Sequence, residues 1–123
     1  MIRLENLSKY YPSSRRWALR EVSLTVDAGT LLVVTGPSGS GKTTLLNMIS
    51  GLDRPTRGRV LVGEHCLTKM GDRALSRFRN RRIGFIFQTF YLNPHWSLLD
   101  NVALPLMLGG VARARRRARA GQV

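Results

Sequence analysis

The feature that most constrains this chain is an eight-residue segment, residues 36–43, with the sequence Gly-Pro-Ser-Gly-Ser-Gly-Lys-Thr. It fits the pattern G-x-x-x-x-G-K-[ST] at every fixed position, and a chance match in a chain of this length is on the order of one in a few hundred. A short apolar run, residues 31–34, precedes it, and apolar residues at helical spacing follow it. This order predicts a strand, a loop and a helix, which is the setting in which such a segment binds nucleotide phosphates.

Each residue type in this phosphate loop has a physical task. The glycines let the backbone curl so that successive N–H groups face phosphate oxygens, and the helix that follows presents its positive end to the same anion. Lys42 supplies a point charge for the β and γ phosphates, and the Thr43 hydroxyl is a hard oxygen ligand suited to Mg²⁺. We therefore expect a triphosphate site built from Gly36, Ser38, Gly39, Ser40, Gly41, Lys42, Thr43 and Thr44.

The composition is that of one globular domain, because 43% of the 123 residues are hydrophobic and 22% are charged. No apolar run approaches the roughly 20 residues that span a bilayer, and the N-terminus lacks the apolar stretch of a signal peptide. Cys66 is the single cysteine, so no internal disulfide can form. These features lead us to expect a cytoplasmic protein.

The net charge of +13 is carried mainly by arginine, and five arginines lie within residues 113–119. Such a balance is typical of some proteins that bind nucleic acid or an anionic membrane, but charge alone is a weak signal, and a solvated surface also explains it. We expect no nucleic-acid partner. A basic nucleic-acid-binding protein stays as an alternative, which a salt-dependent shift of DNA in a gel would support.

The hydrophobic pattern predicts an α/β protein. Residues 27–29 and 63–64 are predicted to be turns, residues 10–16 turn material, and residues 88–97 an aromatic-rich loop. Leu45, Met48, Ile49 and Leu52 are expected to pack under the sheet, with Gly51 ending their helix. Strands are predicted at residues 2–7, 19–26, 31–34, 59–62 and 83–87. Helices are predicted from the phosphate loop to about residue 50, at 72–81 with Asp72 as cap, and at 111–120. A further short helix is predicted to begin at Asp100 and to be interrupted by Pro105.

Five segments occur in an order and at a spacing that resemble a known family. The chain resembles the N-terminal half of an ATP-binding cassette (ABC) domain, over nearly its whole length, and residues 101–106 (Asn-Val-Ala-Leu-Pro-Leu) resemble the branch of lipoprotein-releasing, macrolide-export and cell-division ATPases. The resemblance implies a P-loop fold with a mixed sheet whose N-terminal strands are antiparallel. The segments are residues 7–11 (Leu-Ser-Lys-Tyr-Tyr), 19–24 (Leu-Arg-Glu-Val-Ser-Leu), the phosphate loop with 44–47 (Thr-Leu-Leu-Asn), 51–58 (Gly-Leu-Asp-Arg-Pro-Thr-Arg-Gly) and 83–88 (Ile-Gly-Phe-Ile-Phe-Gln).

The resemblance also implies cofactors, partners and further site residues. Tyr11, or alternatively Tyr10, matches the aromatic residue that stacks on adenine. Gln88 matches the glutamine that contacts Mg²⁺ and the attacking water, so Thr43 and Gln88 would be the metal ligands of bound MgATP. The implied partners are an integral membrane permease and a second ATP-binding subunit, at the inner face of the cell membrane. Two interpretations are open for the apolar residues after Gln88: they line a groove for the partner's helix, or they pack inside the domain. These residues are Phe90, Tyr91, Leu92 and Trp96.

Some family motifs are absent from the 123 residues. There is no Leu-Ser-Gly-Gly-Gln-like signature, no apolar run ending in Asp-Glu after Gln88 and no late switch histidine. We therefore expect residues 1–123 to be the N-terminal portion of one ABC-type ATP-binding domain, with residues 111–123 a basic helical tail cut short. Little ATP hydrolysis and poor solubility are expected of this chain alone. The sequence leaves open a fragment, a terminated reading frame or an intentional shortening, and also the transported substrate and its direction.

A small P-loop kinase is the enzyme-class alternative. Its lid of arginines would be drawn from Arg77, Arg79, Arg81 and Arg82, and phosphoryl transfer to an added small acceptor would support it. Such kinases usually begin close to the phosphate loop, which disfavours this interpretation. His65 and His95 match no catalytic histidine of the resembled family, and Cys66 beside His65 has no second pair of metal ligands nearby.

Overall fold

The computed structural model describes residues 1–123, which form two units, Met1–Leu75 and Ser76–Val123. The boundary between the units falls within a helix, Asp72–Arg82. None of the helices is both long and apolar enough to cross a membrane. The elements are β1 (Ile2–Tyr11), β2 (Arg16–Val26), α1 (Lys42–Ile49), β3 (Arg57–Val62), β4 (His65–Cys66), a 3-10 turn (Leu67–Lys69), α2 (Asp72–Arg82), α3 (Leu98–Leu108) and α4 (Arg113–Ala120).

The sheet of the first unit has the order β2-β1-β3-β4, and each neighbouring pair is antiparallel. The hairpin of β1 and β2 is longer than predicted, because pairing continues to Tyr11 and Arg16. Only Pro12–Arg15 remain as the turn, which is closed by a 3.2 Å bond from the Arg15 N–H to the Pro12 carbonyl. Residues 10, 11 and 16 therefore belong to strands rather than to the turn predicted for them.

Helix α1 packs on the sheet through the face that its spacing predicts. Leu45 and Met48 are buried, and Met48 joins Leu4, Leu7 and Val60 among the fully buried side chains. Leu52 was expected to join them, but it is 45% exposed. Gly51 has a φ of 67° and ends the helix as predicted, and the turned backbone directs Leu52 away from the core.

Replacing Leu7 by alanine is expected to destabilise the first unit by about 2–5 kcal/mol, because Leu7 is wholly buried and the chain cannot fully close the resulting cavity. Leu46→Ala removes the same atoms from a half-exposed position on α1 and should cost much less. Urea unfolding of both variants, followed by far-UV circular dichroism, measures the difference. Equal losses in the two variants would contradict the assigned core.

Two predicted strands are not formed. Residues 31–34 and 83–87 have no regular secondary structure, and Leu31 and Ile86 are 87% and 101% exposed. An apolar run becomes a strand only where a neighbouring strand satisfies its backbone hydrogen bonds, and no pairing in this sheet involves either run. The α/β class and the antiparallel N-terminal strands are confirmed, whereas the strands predicted at residues 31–34 and 83–87 are absent.

The predicted helices after the sheet are present, but the cap of α2 and the first residues of α3 and α4 differ from those predicted. In α2 the Leu75 N–H donates to the Gly71 carbonyl oxygen, so Gly71 takes the cap position. The Asp72 carboxylate, which was predicted to be the cap, instead accepts a 2.8 Å bond from Arg54. Helix α3 begins at Leu98 rather than at Asp100, because the Ser97 hydroxyl accepts from the Asp100 N–H at 3.1 Å and caps it. Pro105 lies inside α3 and does not end it, and α4 confirms most of the predicted helix at residues 111–120.

Candidate functional site

The phosphate loop curls because its glycines take conformations that other residues avoid. Gly36, Gly39 and Gly41 have φ values of 147°, 77° and 92°. A side chain on Gly41 would also meet the Ala18 carbonyl oxygen at 2.4 Å, so the loop passes directly against β2. The loop is therefore anchored to the sheet at its end and is open to solvent at its tip, where Ser38 and Gly39 are exposed.

Lys42 is the first residue of α1, and its ammonium group folds back into the loop. It donates to the carbonyl oxygens of Gly36 and Pro37 at 2.8 and 2.7 Å, and to the Ser40 hydroxyl at 3.3 Å. A positive charge is thus held at the centre of the curl with partners that phosphate oxygens can replace. This geometry is that of an anion site with a cation within it.

The N-terminus of α1 adds a second source of positive potential. Gly41 caps the helix without a side-chain hydrogen bond, and the first turn contains no acidic residue. The first helical bond joins the Leu45 N–H to the Gly41 carbonyl at 2.8 Å. The N–H groups of the three preceding residues therefore have no partner within the helix, and they are available to an anion.

The chain supplies few ligands for a cation at this site. No cluster of three or more His, Cys, Asp and Glu side chains is placed to hold a metal ion. The Thr43 hydroxyl, on an exposed residue beside Lys42, is the hard oxygen at the loop. This donor set fits Mg²⁺, which in nucleotide sites takes one or two protein ligands together with phosphate oxygens and water. Cys66 bonds to Thr68 at 3.2 Å and takes no part.

The structure distinguishes the two candidate tyrosines at the end of β1. The Tyr10 ring lies 5.2 Å from the Trp17 ring, whereas the Tyr11 hydroxyl donates to Asp53 at 3.0 Å. Successive strand residues point to opposite faces, so the two rings lie on different sides of the sheet. Tyr11 pairs with Arg16 of β2. Arg16 lies two residues, or about 7 Å along the strand, from Ala18, where the phosphate loop meets β2.

Sequence reasoning missed the polar cluster that surrounds Tyr11. Lys9 donates to an Asp53 carboxylate oxygen and to the Arg54 carbonyl, both at 2.7 Å, and its ammonium lies 5.0 Å from the centre of the Tyr11 ring. Partial burial raises the pKa of Asp53, but hydrogen bonds from Lys9, the Arg54 N–H and Tyr11 together hold that pKa below its ordinary value. The signal available in the sequence was a pair of opposite charges, Lys9 in residues 7–11 and Asp53 in residues 51–58. Both segments carry the family resemblance.

The remaining predicted residues lie in the second unit. Gln88 is exposed in a bend after residues 83–87, so its role in the site stays a prediction. The aromatic segment that follows is also exposed. The exposed fractions are 88% for Phe90, 74% for Tyr91, 61% for Leu92 and 40% for Trp96.

Comparison with known proteins gives consistent matches. Residues 19–123 match the model of a family described as ABC transporter. The lipoprotein-releasing system ATP-binding protein LolD of Chromohalobacter salexigens is 43% identical over 125 residues, covering 100% of the chain and 53% of the relative. The methionine import ATP-binding protein MetN of Bordetella pertussis is 45% identical over 121 residues, covering 97% of the chain and 33% of the relative.

A solved structure matches equally well. It is the dimeric post-hydrolysis state of the ATP-binding cassette MJ0796 bound to ADP and Pi, with a TM-score of 0.88 and 38% identity, covering 99% of the chain and 55% of that structure. The chain thus spans about half the length of this LolD and of the MJ0796 cassette, and about a third of this MetN. None of these matches supports a small kinase or a nucleic-acid-binding protein.

Proposed function

The chain belongs to the ABC transporter family, and we propose that it binds MgATP as the N-terminal portion of an ATP-binding domain that drives a transporter. The observation that carries this proposal is the Lys42 ammonium held within the curl of the phosphate loop, 2.8 and 2.7 Å from two loop carbonyls. Beside it lie the unpartnered N–H groups at the start of α1. Together they supply the charge and the donors that a triphosphate requires.

Each residue of the site has a proposed role. Lys42 neutralises the β and γ phosphates, while the loop and the α1 N-terminus hold the phosphate oxygens through the backbone. The Thr43 hydroxyl would hold Mg²⁺, and Gln88 would contact that ion and the attacking water. Tyr11 stacks on adenine. Two observations support this role: the Tyr11 hydroxyl bonds to Asp53, and Tyr11 pairs with Arg16, which lies two residues from Ala18 on β2. The other contributors are Gly36, Ser38, Gly39, Ser40, Gly41 and Thr44.

The proposed partners are an integral membrane permease and a second ATP-binding subunit, with the chain at the cytoplasmic face of the membrane. The exposed apolar residues 90–92 and Trp96 support a surface that a partner's helix covers. The names of the relatives point to different cargoes, since one concerns lipoprotein release and another methionine import. We therefore propose the transporter role without a cargo.

Calorimetric titration tests the role of Thr43. Wild-type chain should bind ATP more tightly with Mg²⁺ than with EDTA, because the Thr43 hydroxyl would hold the ion and the ion would neutralise part of the phosphate charge. Thr43→Ala should lose most of that gain, at least about tenfold in affinity, if the contact of the hydroxyl with the ion matches the about 1.5–3 kcal/mol of a hydrogen bond to a charged group. Thr43→Ser keeps the hydroxyl and should retain the gain. A full magnesium effect in Thr43→Ala would refute the assignment.

A further inference from the structure

The cluster beside Tyr11 joins two parts of the first unit, strand β1 and residues 53–54. Asp53 accepts from Lys9 of β1, from the Tyr11 hydroxyl and from the Arg54 N–H, at 2.7, 3.0 and 2.7 Å. Lys9 also donates to the Arg54 carbonyl at 2.7 Å. The Asp53 carboxylate is therefore held from several directions, and it can fix the hydroxyl end of Tyr11.

Asp53 is itself fixed to the helix that begins at the phosphate loop. Its N–H donates to the Asn47 carbonyl at 3.2 Å, and the Leu52 N–H donates to the same oxygen at 2.9 Å, just after α1 ends. Helix α1 has eight residues and is about 12 Å long. One end of this rigid element carries Lys42 and the loop, and the other end carries the carboxylate that bonds to Tyr11.

One face of the Tyr11 ring is occupied by Lys9. The Lys9 ammonium lies 5.0 Å from its centre, which is within the range of a cation–π contact. Only 13% of the Lys9 side chain is exposed, and its ammonium also bonds to Asp53. With the hydroxyl tethered and one face occupied by Lys9, the opposite face is the one left for a base.

We propose that Asp53 and Lys9 are positioning residues that hold the Tyr11 ring ready to stack on the adenine of ATP on the face opposite Lys9. This inference rests on the proposed function, since it assumes that the phosphate loop holds the triphosphate. Its physical content is preorganisation. A tyrosine that is free in the unbound chain must be ordered when the base binds, which weakens affinity by about two- to twelvefold.

The test compares ATP with inorganic tripolyphosphate, which carries the phosphates but no base, by calorimetry on the full chain with Mg²⁺. Tyr11→Phe keeps the ring and removes the hydroxyl, and Asp53→Ala removes its acceptor. Both variants should weaken ATP binding about two- to twelvefold and leave tripolyphosphate binding unchanged. Asp53→Asn keeps an oxygen that can accept from Tyr11, so it should recover part of the loss. Arg3→Ala, on an exposed residue of the same strand, is the control and should change neither affinity.

The outcomes separate this inference from the function on which it rests. A wild-type chain that binds neither ligand contradicts the proposed nucleotide site itself. If wild type binds both and the variants lose both affinities equally, Asp53 has only a structural role and the inference is overturned. Unchanged ATP affinity in Tyr11→Phe and Asp53→Ala overturns it as well.

Discussion

Replacing Lys42 by alanine is expected to weaken ATP binding by at least about a hundredfold, below detection by calorimetry. The Lys42 ammonium lies among loop oxygens at 2.7–3.3 Å, where it can turn to phosphate oxygens without moving the helix that carries it. Two charge-assisted hydrogen bonds of about 1.5–3 kcal/mol each would be lost. The N–H groups at the start of α1 remain, but they cannot neutralise a triphosphate alone.

Lys69→Ala is the matched control, because it removes the same charge from an exposed residue at the end of the 3-10 turn. It should leave ATP affinity within about twofold of wild type, since exposed charges at a distance are screened. Circular dichroism of Lys42→Ala should show that α1 is retained. Equal ATP affinity in wild type and Lys42→Ala would refute the site.

The phosphate loop could be predicted because its signals are local. The spacing of Gly36, Gly41 and Lys42 fixes a loop followed by a helix, and the structure begins α1 at Lys42. The apolar positions Leu45 and Met48 are buried as the helical period requires. Neither inference needs any information from another part of the chain. The start of α3 carried a local signal as well, because Ser97 and Asp100 fit the spacing of a capping box.

Sequence reasoning failed where the outcome depends on residues far apart in the chain. Residues 31–34 and 83–87 are apolar enough for buried strands, yet a strand also needs a partner, and neither run has one in this sheet. The cluster of Lys9 and Asp53 joins residues 44 positions apart. Each residue alone reads as an ordinary surface charge, so only their pairing across the fold shows that they surround Tyr11.

Gly41→Ala should also disrupt nucleotide binding, although Gly41 carries no functional side chain. Its Cβ would lie 2.4 Å from the Ala18 carbonyl oxygen and 3.2 Å from a Leu19 methyl, and its φ of 92° is unfavourable for alanine. The carbonyl belongs to a paired strand and cannot move freely, so the loop and the start of α1 must shift away from β2. Positive φ costs about 1–2 kcal/mol in addition.

Because the loop N–H groups and Lys42 move with that shift, we expect ATP affinity to fall at least about tenfold, since losing one hydrogen bond to a charged group costs about 1.5–3 kcal/mol. Gly29→Ala is the control. It has a similar φ of 78° in the turn after β2, with no atom within 4 Å of the added Cβ. It should lower the melting temperature slightly and leave the dissociation constant for ATP unchanged. If Gly41→Ala binds ATP as wild type does, the contact between loop and β2 does not set the site geometry. A loss of equal size in Gly29→Ala would instead assign the effect to general destabilisation, because that variant suffers the same backbone strain without the clash.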